Sequence, residues 1–176
     1  MANTLEVDNR RDAGAPVLPA AYDETNAPAC HGANPRIFFP AHEVPLGERE
    51  IREAKNICSR CPVREDCLAL AIQSGETDGV WGGTTPAERR SIRLQLRRFN
   101  GTKNLVEALA RGHEEHVRPV DRPAVVVQLL QLGWDVRQVA KALSITPFDV
   151  AGARAQGAQI LVYRRLLQRR YPEGWE

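Results

Sequence analysis

No apolar run in the 176-residue chain approaches the ~18 residues that a membrane-spanning helix needs, so no membrane contact is expected. The opening stretch, Met1 to Gly14, is polar and acidic and lacks the layout of a secretion signal. The expected compartment is therefore the reducing cytoplasm. Aromatics are scarce, at 6%, and no stretch alternates apolar and polar residues with period two, so strands are not expected. There is no Ser/His/Asp set, no phosphate-binding glycine loop and no pair of carboxylates suited to hydrolysis or group transfer, so the chain is not expected to be an enzyme. Cysteine is limited to four residues and histidine to four, and the histidines are read as surface residues.

The few cysteines carry the chemistry. Cys30, Cys58, Cys61 and Cys67 have the spacing C-x27-C-x2-C-x5-C. Cysteines this close together in a reducing compartment point to metal or redox chemistry more than to structural disulfides. Thiolates are soft ligands that suit zinc or an iron–sulfur cluster. Spacing alone leaves three readings open: a [4Fe–4S] cluster, whose wide cage tolerates unequal spacing; a structural zinc, which usually shows two C-x2-C knuckles; and redox-active thiols built on the Cys58–Cys61 pair. Lys55, Arg60 and Arg64 are neighbours in sequence that can offset the negative charge of such a centre.

Charge is unevenly distributed. Residues 1–83 carry 8 Lys/Arg against 13 Asp/Glu, and residues 84–176 carry 16 against 9, so an acidic half with net charge −5 precedes a basic half with +7. The basic half suits an acidic partner or nucleic acid. The pattern divides into a disordered arm (1–27), a cysteine region ending in a basic helix (28–99), a linker with a helical turn or two near Leu105–Ala110 (100–121), and a helical C-terminal region (122–176). Helix signals dominate, so the expected fold is all-α. Ile51, Ala54 and Cys58 share one stripe. Pro62 opens a helix that stops before Gly75. Thr85-Pro86-Ala87-Glu88 is a capping box, followed by Ile92, Leu96 and Phe99 on one face and by Arg89, Arg90, Arg93, Arg97 and Arg98.

Three blocks occur in order. Phe38-Phe39-Pro40 follows Cys30, then comes Cys58-Ser59-Arg60-Cys61-Pro62-Val63-Arg64-Glu65-Asp66-Cys67-Leu68, then Gly79-Val80-Trp81-Gly82-Gly83 ahead of Glu88-Arg89-Arg90. Together they resemble the WhiB-like regulators of actinobacteria and their phages over about residues 28–92. The resemblance implies a [4Fe–4S] cluster on the four cysteines that responds to redox state or nitric oxide. It also implies docking of the Gly79–Gly83 turn on the C-terminal DNA-binding domain of the principal sigma factor, and DNA contact by basic residues beyond it. It further implies disulfide pairing once the cluster is lost, and a thiol–disulfide reductase activity of the apo form as an alternative function. A zinc-stapled DNA-binding or adaptor module is the remaining alternative. The chain departs from the family in two ways: no tryptophan precedes Cys30, the nearest aromatic being Tyr22, and more than eighty residues follow the turn.

That extension reads as three short helices and a later one. Val125, Val126, Leu129 and Leu130 fall in a helix that ends at Gly133. Asp135 caps a second helix and Thr146 a third, and a later helix covers Ile160–Tyr171. Residues 135–154 resemble a helix-turn-helix, whose second helix reads the major groove. Arg154, Arg164 and Arg165 join the arginines of the 86–98 helix as the expected DNA contacts.

Overall fold

The computed structural model describes residues 27–39 and 47–174; the expected arm lies, but for Ala27, outside them. Among the described residues the regular structure is helical, as expected: α1 (Glu48–Ser59), α2 (Arg64–Gln73), α3 (Pro86–Gly101), α4 (Lys103–Ala110), α5 (Arg122–Gln131), α6 (Val136–Leu143) and α7 (Pro147–Arg170), with 3-10 turns at Pro35–Ile37 and Pro119–Asp121.

Helix starts follow the local chemistry. Thr85, Asp135 and Thr146 each accept the N–H of the third helical residue, and Glu88, Gln138 and Asp149 reach back to the N–H of the cap. Three helices therefore open on complete capping boxes, each satisfying donors that a helix end otherwise leaves bare. α2 departs from its expected start at Pro62. Residues 61–63 close a turn in which the Arg64 N–H donates to the Cys61 carbonyl at 3.2 Å, so the helix begins at Arg64 and Cys67 sits in its first turn.

The largest difference lies in α7. Residues 147–170 form one continuous helix where the sequence suggests two, because packing overrides the weak propensity of Gly152 and Gly157. Gly157 marks a close crossing over α5: a Cβ there would meet the Pro123 carbonyl oxygen and Val127 Cγ1, each at 2.4 Å. The segment 100–121, expected as a linker with a helical turn or two near Leu105–Ala110, carries α4 at that place, and its Val106 and Leu109 are buried.

α5 explains how the helices stack. Its run of Ala124 to Leu129 is buried on every side. Val125, Val126 and Leu129 face one core with Leu109 of α4, Val139 of α6 and Val150 of α7. Ala124 and Val127 face a second core with Ile92, Leu96 and Phe99 of α3 and Leu166 and Leu167 of α7. A helix covered on both faces needs no amphipathic period. Its polar exception, Gln128, donates through Nε2 to the Phe99 carbonyl, Thr102 Oγ1 and the Ala124 carbonyl at 3.2, 2.8 and 3.1 Å, which ties α5 to the α3–α4 junction. A third, smaller core of Phe38, Ala54, Cys58 and Val80 lies at the cysteine end.

Candidate metal centre

Four segments bring the cysteines together. Cys30 lies in a turn closed by the Ala33 N–H on the Cys30 carbonyl at 3.0 Å. Cys58 is on the buried face of α1, the stripe expected from Ile51, Ala54 and Cys58. Cys61 follows in the turn after α1, its N–H donating to the Cys58 carbonyl at 3.2 Å, and Cys67 is on α2. All four line one cavity of about 250 Å³, together with Phe38, Phe39 and Trp81. None is in a disulfide. Among the described residues no group of three or more His, Cys, Asp or Glu is arranged to hold a single metal ion. The thiols stand around a space rather than around a point, whereas one tetrahedral zinc needs four sulfurs at about 2.3 Å. A cavity of ~150 Å³ already takes a benzene molecule, so this one has room for a multi-atom core.

The turn after α2 forms one wall. Gly79, Gly82 and Gly83 adopt φ of +66°, +54° and +78°. A Cβ on Gly82 would lie 2.6 Å from both the Arg64 carbonyl oxygen and Leu68 Cβ, and one on Gly79 would lie 2.4 Å from the Phe39 ring. Glycine is thus required twice over, by conformation and by space. The close approach sets the Gly82 and Gly83 amides against the sulfurs of Cys67 and Cys58 as hydrogen-bond donors. The Val80 N–H donates to the Phe38 carbonyl at 2.9 Å, which fastens the turn to the Phe38–Phe39 segment. Trp81 meets Phe39 edge to face at 5.7 Å, and its indole N–H, though buried, has no hydrogen-bond partner among the described residues.

Burial pushes the Cys67 thiol up to about 11; the Gly82 amide opposes this, and repulsion from Cys58, Cys30 and Cys61 adds to it. Burial likewise raises Cys58 and Cys30, with the other thiols contributing. The cysteines therefore feel one another's charge, and all four can be thiolates together only when positive charge is placed among them.

Part of that positive charge comes from Arg89, which its place among the arginines of α3 marks as an expected DNA contact. Arg89 has 0% exposure. Its guanidinium donates to the carbonyls of Asp78 and Thr84 at 2.6 Å each, Gly79 at 2.9 Å and Glu76 at 3.3 Å, clamping both ends of the turn. Burial and the neighbouring Arg93 lower its pKa, while Glu76, Cys67 and Asp78 oppose that shift. Arg89 is therefore removed from the DNA set. A signal for this was present: Arg89, Ile92, Leu96 and Phe99 share one helical stripe.

The other expected residues divide. Gly79, Val80 and Gly82 of the expected partner surface are buried, and Trp81 and Gly83 are half-buried. Arg93 donates to the Glu76 carbonyl at 3.3 Å, and Arg164 lies 4.2 Å over the Phe99 ring, so both are engaged in the fold. Arg90, Arg97, Arg154 and Arg165 are exposed, and Arg98 is half-buried. Of the three cations expected at the centre, Arg64 bonds the Gly82 carbonyl at 3.2 Å and lowers Cys58, Lys55 pairs with Glu88 at 2.6 Å, and Arg60 is exposed.

The match to known proteins covers this same region. The family model described as transcription factor WhiB matches residues 25–92. Transcriptional regulator WhiB1 of Mycobacterium tuberculosis is 39% identical over 64 residues, which cover 36% of this chain and 76% of that protein. WhiB1 of Bifidobacterium longum is 33% identical over 81 residues, covering 46% and 88%. The chain belongs to the WhiB family. WhiD of Streptomyces coelicolor is 42% identical over 66 residues, 36% of this chain and 59% of that protein. The family model stops within α3, so α4 to α7 lie beyond it. No helix among the described residues is long and apolar enough to cross a membrane.

Proposed function

We propose that this WhiB-family chain is a transcriptional regulator that holds one [4Fe–4S] cluster on Cys30, Cys58, Cys61 and Cys67, and that the state of this centre, altered by redox change or nitric oxide, governs contact with a sigma factor and DNA. The observation that carries the reading is the convergence of all four cysteines on one cavity of about 250 Å³, with the Gly82 and Gly83 amides donating to two of the sulfurs. When bound, such a cluster supplies an electron-accepting and gas-reactive centre. The chain's own residues do the rest. Amide donors stabilise the thiolate form, Arg64 and Arg89 offset its charge, and Phe38, Phe39 and Trp81 limit the access of water.

For the sigma contact, the principal sigma factor's C-terminal DNA-binding domain is the proposed partner. Trp81 and Phe39 are the surface candidates, because Phe39 is 45% exposed and meets Trp81 edge to face, whereas Val80 and Gly82 serve the interior. For DNA, the candidates are Arg90, Arg97, Arg154 and Arg165, all exposed. The proposed site of action is the cytoplasm.

Anaerobic purification followed by iron, sulfide and zinc analysis tests the centre. About four irons and four sulfides per chain are expected, falling sharply when Cys58 or Cys67 is replaced by serine. A colourless protein with one zinc and no sulfide overturns the proposal. Insulin reduction by the apo protein that is lost in Cys58→Ser would instead place the chemistry in the thiol pair.

A further inference from the structure

We infer that the N-terminal half of α7 enters the major groove of duplex DNA and reads the C5-methyl groups of thymines through Phe148, Ala151 and Ala155. The inference rests on the DNA-binding reading above and deepens it.

The geometry starts at the turn between α6 and α7. Ser144 takes a left-handed conformation, φ +51°, and Thr146 caps α7, so only a short corner separates the two helices. α5, α6 and α7 pack on one another around Val125, Leu129, Val139, Leu143 and Val150. This is the arrangement in which the second helix of the pair projects its first turns into a major groove while the first helix crosses the backbone.

The projecting face is unlike ordinary solvated surface. Phe148 is 85% exposed, and Ala151, Gly152 and Ala155 follow it on the same side of α7, all exposed. Gly152 is the informative residue. A glycine inside a helix costs about 1 kcal/mol relative to alanine. At Gly157 the fold requires it, but a Cβ on Gly152 would meet nothing within 4 Å. Nothing among the described residues uses that gap, so the gap suits close approach by something outside them.

Charge selects the occupant. Residues 122–171 carry eight arginines and lysines against two aspartates, Asp135 and Asp149. Both aspartates are occupied in capping boxes. Arg137 and Lys141 lie one turn apart on the exposed side of α6, and Arg154 is exposed on α7. An apolar strip bordered by cations fits a groove whose floor presents methyl groups and whose walls are phosphate. Alanine and phenylalanine contact the thymine methyl, while phosphates take the arginine and lysine ends.

The test uses the full chain, purified anaerobically, in fluorescence anisotropy. The probes are an alternating A·T duplex and the same duplex with every thymine replaced by deoxyuridine, which deletes only the methyls. Each buried methyl is expected to contribute about fourfold, so the thymine duplex should bind ~15-fold tighter where two are covered. Phe148→Ala should keep the parent melting temperature, Gly152→Leu, which removes a helix glycine in open surroundings, should raise it by about 2–4 °C, and both should lose the preference. Arg137→Gln with Lys141→Gln should weaken binding to both duplexes alike and lower the salt slope by about two. Equal, salt-dependent binding of the two duplexes by the parent protein overturns the inference and leaves DNA binding standing. Absence of salt-dependent binding to either duplex overturns DNA binding itself. A Phe148→Ala variant that matches the parent on both duplexes also overturns the inference, and leaves that face to a protein partner.

Discussion

Replacing Arg89 with methionine tests whether the turn beside the cysteines is held by a buried cation. The variant keeps most of the side-chain volume and deletes the fork of donors. Of the four carbonyls involved, Glu76 keeps a donor in Arg93 and Thr84 keeps one in the Trp81 N–H, at 3.3 and 3.0 Å. The carbonyls of Asp78 and Gly79 have no second donor among the described residues. A buried carbonyl left bare costs about 1–3 kcal/mol, which gives ~2–6 kcal/mol for the pair. Removing a charge that folding must desolvate offsets part of this, leaving a net loss of about 2–4 kcal/mol. In urea that loss lowers the midpoint of the apo protein by roughly 1–2 M. Arg89→Lys should recover little, because an ammonium is a point donor and cannot span carbonyls placed around a planar fork. Hydrogen exchange supplies the local readout: the Gly82 and Gly83 amides should exchange faster, while those of α5 keep their protection. A methionine variant within about 0.5 kcal/mol of the parent, the scatter of an ordinary surface change, would refute the clamp.

Other perturbations follow from single contacts. Gly157→Ala forces a methyl against Pro123 and Val127, each at 2.4 Å, and should cost about 1–3 kcal/mol in thermal denaturation, whereas Gly152→Ala, with open space around it, should gain about 1 kcal/mol. With the Cys67 thiol at about 11 in the apo protein, its alkylation at pH 8 should lag behind that of a free cysteine in a short peptide and rise about tenfold per pH unit up to pH 11; mass mapping of pulse-alkylated cysteines reads this directly. Burial alone would raise the Glu88 carboxyl, but hydrogen bonds from Lys55 and Thr85 hold it below the ordinary value. A depressed carboxylate contributes stability that is present above its unfolded pKa and is lost as pH falls through the folded one. The Glu88 side chain is 46% exposed and screened by solvent, so Glu88→Gln should cost only a few tenths of a kcal/mol near neutrality, about 0.3–0.5, and parent and variant should converge at pH values well below 4.5.

The features legible in the sequence are those whose chemistry is local. A capping box needs four consecutive residues, so Thr85, Asp135 and Thr146 mark their helices directly. Gly82 and Gly83 announce positive φ because few other residues adopt it. What stayed hidden depends on residues distant in sequence. The arginines of α3 look alike in composition, and only the path of residues 76–84 makes Arg89 a buried clamp and leaves Arg90 exposed. The continuity of α7 is set by α5 beneath it, which rewards Gly157 with a close crossing that no helix propensity contains. Arg164 resembles a phosphate ligand in sequence, but Phe99, sixty-five residues away, lies beneath its guanidinium.

The division of labour along the chain is not a division of its core. The family match ends at residue 92, yet Ile92 shares its face of α3 with Leu96 and Phe99, and these three are 4%, 5% and 2% exposed because α5 and α7 cover them. The ion pairs across this boundary, Arg169 with Glu65 and Arg170 with Asp66, are exposed and add little. The apolar contacts dominate. Uncovering those three side chains at about 1.5–3 kcal/mol each forfeits ~5–9 kcal/mol, which is comparable with the whole stability of a small domain. Leu167 and Leu166 also rest beside Ala69 and Ile72 of α2, the helix that carries Cys67. One rigid helix of 24 residues, about 36 Å long, thus runs from the cysteine-bearing helix to the exposed Phe148 end. Truncating the extension would unfold what it supports, so a loss of DNA binding in such a truncation says nothing about which residues touch DNA. Substitutions at exposed positions, Phe148, Arg137 and Arg154 among them, separate the two roles, because their side chains serve no core.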